Sequence, residues 1–570
     1  MRKLFRYLRG YRRECILGPL FKLLEASFEL LVPLVVASMI DDGIATGDRG
    51  LVLRLGAVLV GLAAVGLISS ITAQFFAAKA SVQFGGTLRH ALFAHIQRLS
   101  FSQQDRLGGA TLITRMTSDI NQVQTGVNLA LRLLLRSPFI VFGAMVMAFT
   151  IDVRAAWIFV IAIAALCVVV FGLMLWSIPR YREVQRNLDG VLGITRENLA
   201  GVRVLRAFNK QHEEIRQFDG QNEKLTRFGL FVGRVTSLMN PLTYVMINLA
   251  LVALIRAGAL EVNSGVLTQG QVVALVNYMS QILVELIKMA NLIITITKAW
   301  ACGNRIERLL EVPLEAGGSE ISEDRIAPAV VFDHVSLTYD EASGESLTDL
   351  SFTVPRGAVF GIIGGTGSGK SSVVNLIPGY YKPTSGTVRI EGLPTEQWSD
   401  KALRSRIGMV PQKALLFRGT IRENLLWGNP GATDAQIQRA LDVSQSAEFV
   451  AAKAGGLDEL VEQGGRNFSG GQRQRLTIAR AVVREPEILI LDDSASALDF
   501  ATDAKLRKAL RSLTDTTVFI VSQRTSSIRF ADQILVLDDG HAVGLGTHED
   551  LLKTCPVYRE IYDSQYQKEA

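Results

Sequence analysis

GGTGSGKS at positions 364–371 is the stretch that decides the fold of the second half of this chain. An apolar run typical of a buried strand precedes it at 359–363, and a helix-forming segment follows it. This is the G-x-x-x-x-G-K-[ST] phosphate loop in a strand, loop, helix context, in which backbone amides surround the phosphates and Lys370 reaches the outer ones. Ser371 offers its hydroxyl to Mg²⁺. The residues of this stretch expected to contact a nucleotide are Gly364, Gly365, Thr366, Gly367, Ser368, Gly369, Lys370, Ser371 and Ser372.

A second apolar run, at 488–491, ends in two acidic residues, Asp492 and Asp493. An aspartate at the end of such a strand is placed to hold Mg²⁺ through water. The two strands, the lysine and the aspartate together predict an α/β P-loop ATPase domain that binds ATP and Mg²⁺.

The segment NFSGGQRQR at 467–475 distinguishes this chain from other phosphate-loop proteins. Its serine and glycine amides, followed by a helix N-terminus, form a surface suited to an anion. With the two strand motifs, the segment resembles the signature of ATP-binding cassette (ABC) transporters, LSGGQ, with phenylalanine in place of leucine. The resemblance implies that this surface closes over the γ-phosphate held by the opposite subunit of a dimer. The residues so implied are Phe468, Ser469, Gly470, Gly471 and Gln472.

Further positions match this family one at a time. Tyr339 falls where an aromatic ring stacks on adenine, although a tyrosine in an alternating strand can equally be a packing residue. Gln412 fits the glutamine that contacts Mg²⁺ and senses the membrane domain, and SALD at 496–499 fits a loop that communicates across the dimer. The segments 105–116 and 208–218 fall where the family's coupling helices dock on the ATPase domains.

Three positions depart from the family pattern. Asp493 stands where a glutamate polarises the attacking water, and Gln523 stands where a histidine contacts the γ-phosphate. The third departure is EQGG at 462–465, where the exporter pattern before the signature is GERG. The aspartate carboxylate ends more than an ångström short of the water that a glutamate would reach. A displacement of that size can cost ~10²-fold in rate. Glutamine donates a hydrogen bond but cannot become cationic. Independent drift of the two residues is one interpretation; division of labour between two unlike subunits is the favoured one.

Composition places the first half of the chain in a membrane. Hydrophobic residues make up 48% of the 570 and charged residues 20%, with a mean hydropathy of +0.26. A helix needs about 20 apolar residues to cross the hydrocarbon layer. Six stretches meet this requirement, at 15–40, 55–78, 129–151, 155–178, 237–259 and 272–299. An even number of crossings puts both ends of the chain on one side, and these spans exclude a soluble DNA-repair or translation ATPase.

Charge gives the orientation, because segments rich in arginine and lysine stay in the cytoplasm. Such segments precede the first span and fill the connection 180–234. Both termini and the ATPase domain are therefore expected in the cytoplasm. Residues 2–13 are interpreted as a basic amphipathic helix on the inner membrane face, with a flexible tail as the alternative. Lys22, Glu25 and Glu29 interrupt the first span and argue against a cleaved signal.

The remaining composition limits partners and cofactors. The net charge of +6 is modest, and no nucleic acid is expected as a partner. The cysteines are far apart and show no CxxC pair, which indicates neither a disulfide framework nor a zinc site. They are Cys15, Cys167, Cys302 and Cys555.

The whole chain is similar in order to a bacterial ABC exporter half-transporter. The expected parts are an all-α polytopic membrane domain with long cytoplasmic extensions (1–308), a linker (309–328) and the α/β ATPase domain (329–570). The resemblance implies a multi-pass protein of the bacterial inner membrane that exports amphipathic drugs, lipids or peptides. Its hypothesised partner is a homologous chain that carries the glutamate and the histidine. Alternatives are a homodimeric exporter of low turnover, an ATP-gated regulator or channel, and an importer.

Ionisable residues inside the spans leave the substrate open. Glu25 and Glu29 lie one turn apart in the first span, and Glu285 and Lys288 share a face of the sixth. Intramembrane charges are costly and tend to line cavities or to pair. Contact with substrate and simple pairing along the helix both fit these four residues.

Overall fold

The computed structural model describes residues 2–314, 327–339, 344–495 and 497–566, apart from the side chains of Arg2 and Asn240. Packing divides the chain into two compact units. The first comprises Met1–Gln97 and Ala110–Val312, and the second comprises Arg98–Gly109 and Pro313–Ala570. Most of the expected linker, from 315 to 326, lies outside the described residues.

The first unit is helical, and two of its helices are more than twice as long as a bilayer requires. They are α1 (Arg12–Ser38), α2 (Arg49–Ile96), α4 (Gly109–Thr114), α5 (Ile120–Leu133), α6 (Arg136–Ile151), α7 (Val153–Ala200), α8 (Val202–Ala207), α9 (Gln211–Ser237), α10 (Met239–Asn263) and α11 (Gln269–Leu310), with α3 (Phe101–Leu107) belonging to the second unit. At 1.5 Å per residue, the 48 residues of α2 and of α7 each extend about 72 Å, more than twice the ~30 Å of hydrocarbon.

Within the described ranges, six helical segments are long and apolar enough to cross a membrane, which confirms the expected number. They are Lys3–Ile44, Arg49–Ile96, Gly109–Ile151, Val153–Ala200, Gln211–Asn263 and Gln269–Leu310. Each apolar stretch found in the sequence lies within one of these segments.

The N-terminal segment is helical, as expected for residues 2–13, but most of it is not an α-helix. Residues Arg2–Tyr11 form a 3₁₀ helix, and Leu4 is almost fully buried within the first unit. The backbone amide of Lys3 donates to Glu307 at 2.8 Å, and its side chain pairs with Glu311. Leu4 therefore packs on protein rather than facing lipid, while Phe5 stays about half exposed.

An ion cluster joins three of the long helices. Arg136 of α6 donates to Glu29 of α1 at 2.6 Å and to Glu285 of α11 at 2.5 Å. Glu285 also accepts from Ser137 at 2.7 Å and from Lys288 at 2.8 Å. We call this the intramembrane ion cluster; its members are Lys22, Glu25, Glu29, Arg136, Glu285 and Lys288.

Pairing therefore accounts for the ionisable residues seen in the spans. The cluster holds three basic and three acidic side chains, so its formal charge is zero. Lys22 bonds Glu25 at 2.5 Å and the hydroxyl of Ser70 on α2 at 3.2 Å. A substrate contact at Glu25, Glu29, Glu285 or Lys288 stays a prediction.

The second unit is built on strands whose central sheet is mostly parallel. The strands are β1 (Val330–Leu337), β2 (Leu347–Val354), β3 (Val359–Gly364), β4 (Ser385–Ile390), β5 (Leu393–Pro394), β6 (Ile407–Val410), β7 (Gly419–Thr420), β8 (Leu460–Val461), β9 (Ile488–Asp492), β10 (Thr517–Val521), β11 (Gln533–Asp538) and β12 (His541–Gly546). Its further helices are α12 (Lys370–Leu376), α13 (Asp400–Arg406), α14 (Ile421–Leu426), α15 (Asp434–Val443), α16 (Ala447–Ala451), α17 (Gly470–Val482), α18 (Phe500–Leu510), α19 (Thr525–Ile528), α20 (His548–Thr554) and α21 (Pro556–Tyr566).

Sheet order explains why distant motifs meet. The six-stranded sheet runs β12-β11-β3-β10-β9-β6, with only the β12 pairing antiparallel among its described strands. The segments that follow β3, β10, β9 and β6 therefore leave the sheet at one edge. A second, antiparallel sheet of β2-β1-β4-β5 packs its apolar residues beside this sheet.

The short helix α3 packs within the second unit although it lies between two spans in sequence. Phe101 stacks on Tyr380 with ring centroids 4.2 Å apart, and Asp105 accepts a hydrogen bond from the Tyr381 hydroxyl. The expected docking segment 105–116 thus begins earlier, at Phe101, and its residues from 110 onward belong to the first unit. Phe208, in the other expected segment, is 73% exposed.

Candidate active site

The phosphate loop leaves β3 at Gly364 and enters α12 at Lys370, in the strand, loop, helix order expected from the sequence. Gly369 takes a φ of +94°, a left-handed conformation that favours glycine. A Cβ at this position would lie 2.8 Å from the carbonyl oxygen of Ser346. Glycine is therefore required at Gly369 both by the backbone conformation and by the neighbouring chain.

Lys370 is held over its own loop. Its Nζ donates to the carbonyl oxygens of Gly364 at 3.0 Å and Gly365 at 2.5 Å. Burial lowers the pKa of Lys370, while the nearby carboxylates of Asp493 and Asp492 act in the opposite direction. The ammonium is thus placed where phosphate oxygens can replace the loop carbonyls as its acceptors.

Asp492 and Ser371 face each other across the loop. The Ser371 hydroxyl donates to Asp492 Oδ1 at 3.1 Å. Burial raises the pKa of Asp492, and the bond from Ser371 opposes that rise. A hydroxyl and a carboxylate at this separation are hard oxygen ligands of the kind that Mg²⁺ prefers, so these two residues fit a magnesium ion.

Asp493 points into the same region from a strained backbone. Its φ is +44°, in the left-handed region that aspartate tolerates better than most residues. Its side chain forms a hydrogen bond with Gln412, which lowers its pKa, while burial is the larger effect and raises it. Asp493, expected near the attacking water, and Gln412, expected to contact Mg²⁺, therefore contact each other.

One cavity of about 370 Å³ gathers the predicted catalytic residues and six of the nine predicted phosphate-loop residues, Thr366, Gly367, Gly369, Lys370, Ser371 and Ser372. Its lining includes Gln412, Asp492, Asp493 and Gln523 beside Lys370. Glu345, Ser346, Asp539 and Gly540 also line the cavity. Sequence reasoning missed these four, because turns between strands carry no motif that would reveal them.

The signature segment begins α17. The hydroxyl of Ser469 accepts from the amide of Gln472 at 3.3 Å, and the Gln472 side chain accepts from the Ser469 amide at 3.0 Å. This capping box fixes the turn, while Ser469 and Gly470 stay exposed. The helix N-terminus is thus open to an anion supplied from outside the chain.

Two predicted nucleotide contacts lie in partly or fully buried positions. Phe468 is only 3% exposed and packs in the core under the ammonium of Lys453, 4.9 Å from the ring centre. The Tyr339 hydroxyl donates to Ser372 at 3.0 Å, and its ring meets Tyr381 edge-on at 5.0 Å. Packing explains both side chains, and their contact with adenine or phosphate stays a prediction. Ser496, the first residue of SALD, lies outside the described residues.

Fold and site together define a membrane-spanning P-loop ATPase. The family model for the ABC transporter transmembrane region matches residues 15–286, and the ABC transporter model matches residues 347–496. An uncharacterized ABC transporter ATP-binding protein of Mycobacterium tuberculosis is 36% identical over 98% of this chain and 97% of its own length. The chain belongs to the ABC transporter family.

Other comparisons refine the class. A probable multidrug resistance ABC transporter ATP-binding/permease protein of Bacillus subtilis is 30% identical, covering 99% of this chain and 97% of its own. The ATP-dependent lipid A-core flippase of Vibrio vulnificus is 26% identical with the same coverage. The structure of a bacterial Atm1-family ABC exporter with ATP bound shares the fold, with a TM-score of 0.80, 24% identity, and coverage of 98% of this chain and 99% of that one.

The chain is accordingly an ABC transporter subunit in which six described helical segments, long and apolar enough to span a membrane, precede an ATPase domain that drives transport, and it shares the fold of an ABC exporter. ATP, normally with Mg²⁺, is the cofactor such a domain implies. The residues at the cavity fit this requirement: Lys370 for the phosphates, Ser371 and Asp492 for the metal.

Proposed function

We propose that this chain is one subunit of a heterodimeric ABC exporter, whose own ATP site binds Mg-ATP but hydrolyses it slowly. The observation that carries the proposal is the composition of one cavity. Asp493 and Gln523 line it together with Lys370, where the family pattern has glutamate and histidine. Each substitution weakens a different chemical role: Asp493 the polarisation of water, Gln523 the contact with the γ-phosphate.

The signature of the chain supports the second half of the proposal. Ser469 and Gly470 are exposed at a well-capped helix N-terminus and retain the family's SGGQ. In a sandwich of two ATPase domains, this surface completes the ATP site of the partner. A homologous half-transporter that supplies the missing glutamate and histidine would then perform most of the hydrolysis.

The names of two relatives support a proposal for the substrate, and the spans and basic segments support one for the location. The printed names of two relatives refer to multidrug resistance and to a lipid flippase. We therefore propose that the substrate is amphipathic, a drug, lipid or peptide, and that it moves outward across a bacterial inner membrane. The basic segments before α1 and within 180–234 support a cytoplasmic location for the termini and the ATPase domain.

Restoring the family residues tests the slow site. In the purified full-length chain, we expect Asp493→Glu combined with Gln523→His to raise steady-state ATPase activity ~10- to 100-fold, because the longer carboxylate reaches the water. Turnover is measured in lipid nanodiscs after the dimeric state has been verified by mass.

Asp539→Glu is the matched control for that experiment. Asp539 lines the same cavity and has nearly the same left-handed backbone, with a φ of +42°. The control adds the same methylene and the same local strain, and turnover should stay at its original level. An unchanged rate in the double variant would count against the slow-site proposal.

A further inference from the structure

The side chain of Gln565 on the last described helix binds the loop that carries Gln523. Gln565 Oε1 accepts hydrogen bonds from the amide and the hydroxyl of Thr525, both at 2.9 Å. Its Nε2 donates to the carbonyl oxygen of Gln523 at 2.8 Å. Both ends of the Gln565 amide are thus engaged with one short segment, 523–525.

Thr525 needs a partner of this kind. It is the first residue of α19, and the first amides of a helix have no acceptor within the helix. Arg524, at the preceding cap position, provides no side-chain acceptor, and Thr525 is fully buried from solvent. A buried amide without an acceptor is destabilising. Gln565 therefore caps α19 from a position 40 residues later in the chain.

The other side of Gln523 is fixed to the central sheet. The Ser522 amide donates to the carbonyl oxygen of Ile362 on β3 at 3.1 Å, and the Ser522 hydroxyl accepts from the Arg524 amide at 3.0 Å. Ser522 is itself buried. The backbone of Gln523 is consequently held between the strand that precedes the phosphate loop and the α21 side chain.

Helix α21 is a firm support for Gln565. Tyr558 is fully buried, and its hydroxyl shares a hydrogen bond of 2.7 Å with the His548 ring. Ile561 packs against the same apolar core as Ile528 of α19. The rings of Tyr562 and Tyr566, which flank Gln565 in sequence, have their centres 4.6 Å apart. The packed part of α21 therefore anchors the backbone that carries Gln565, while the Gln565 side chain is exposed and held by its hydrogen bonds to the 523–525 segment.

We propose that Gln565 is a positioning residue: it holds the Gln523 loop so that this site distinguishes ATP from ADP. Gln523 lines the cavity with Lys370 and Asp493, and the proposal rests on the assignment of Gln523 to the γ-phosphate made under Proposed function. ADP lacks that phosphate. Loosening the loop should therefore weaken ATP binding and leave ADP binding unchanged.

The test compares equilibrium binding of Mg-ATP and Mg-ADP to the full-length chain. In Gln565→Ala, we expect the dissociation constant for Mg-ATP to rise roughly 2- to 12-fold, the value of one ordinary hydrogen bond, with that for Mg-ADP unchanged. Gln565→Glu keeps the acceptor for Thr525 but sets a carboxylate against the Gln523 carbonyl, so it should show the same selective loss. Ser564→Ala is the matched control, because the Ser564 hydroxyl bonds only its own helix, at Ile561, among the bonds described, and both constants should stay unchanged.

Two results would overturn the proposal: equal weakening of Mg-ATP and Mg-ADP binding, which marks a purely structural role, or a Gln565→Ala variant that behaves like Ser564→Ala.

The variant Gln523→Ala separates this proposal from the assignment of Gln523 to the γ-phosphate, on which it rests. If Gln523→Ala leaves the ATP preference intact, the assignment of Gln523 to the γ-phosphate is wrong, and this proposal falls with it. If Gln523→Ala reduces the preference and Gln565→Ala does not, only the positioning role is wrong. The double variant should be no worse than Gln523→Ala alone.

Discussion

We expect Ser469→Arg to reduce ATP turnover by the complex of this chain with its partner to less than about one hundredth of the original rate. The arginine places a bulky cation on the exposed helix N-terminus that would otherwise face the γ-phosphate of the partner's ATP. Closure of the two ATPase domains on that ATP is thereby blocked. Steady-state phosphate release by the purified pair measures the effect.

Loss of the helix cap is a competing cause, and Thr433→Arg controls for it. Thr433 is also an exposed residue that caps a helix, α15, in a capping box with Gln436. Both substitutions remove a cap, which costs ~0.5–2 kcal/mol of stability. Thr433→Arg should keep its turnover, and both variants should show similar thermal unfolding.

Asp493→Asn supplies the contrasting variant. Because the proposed site of Asp493 already turns over slowly, the pair should keep most of its activity when this carboxylate is neutralised. The opposite ranking, with Asp493→Asn inactive and Ser469→Arg active, is incompatible with the assigned roles.

Arg136→Met should give the largest loss of stability in the membrane domain. Arg136 is 7% exposed at its side chain and neutralises Glu285, which is 3% exposed, while also bonding Glu29. Without Arg136 the intramembrane ion cluster holds three carboxylates against two ammonium groups. Removing one member of a buried ion pair costs ~3–5 kcal/mol. The thermal midpoint of the detergent-solubilised protein, followed by size-exclusion chromatography after heating, reports this loss.

Two further variants test whether loss of the ion pairing causes the expected destabilisation by Arg136→Met. Arg256→Met removes an exposed arginine from α10 and should change the midpoint little. Adding Glu285→Gln to Arg136→Met removes the excess negative charge of the cluster and should recover part of the loss, because the two residues are in direct contact. If Arg136→Met had the same thermal midpoint as Arg256→Met, the intramembrane ion cluster would not be the interaction that stabilises the packing of α1, α6 and α11.

The sequence predicted what local patterns encode. Glycines and a lysine at fixed spacing specify the phosphate loop, because that conformation is set within eight residues. The apolar lengths gave six spans, and the i,i+3 spacing of Glu285 and Lys288 correctly offered their pairing as one alternative. In each case the interaction lies within one element.

Contacts between distant elements could not be predicted. Nothing in the sequence around Arg136 indicates that carboxylates from α1 and α11 meet it, since helix packing brings them together. Residues 2–11 form a 3₁₀ helix in which Leu4 is buried, and no pattern in the sequence indicates that burial. Gln565 reaches Gln523 across 42 residues of chain, and no motif marks it.

The central claim is that catalysis is divided between two unlike subunits. It is tested most directly by the ATPase rate of this chain purified alone, beside that of the same chain purified with its homologous partner under identical lipid conditions. We expect the pair to hydrolyse ATP at least about tenfold faster per ATPase dimer than the chain alone, because only the pair contains a site with both the glutamate and the histidine. Vigorous hydrolysis by the chain alone, at a rate comparable to the pair, would contradict it.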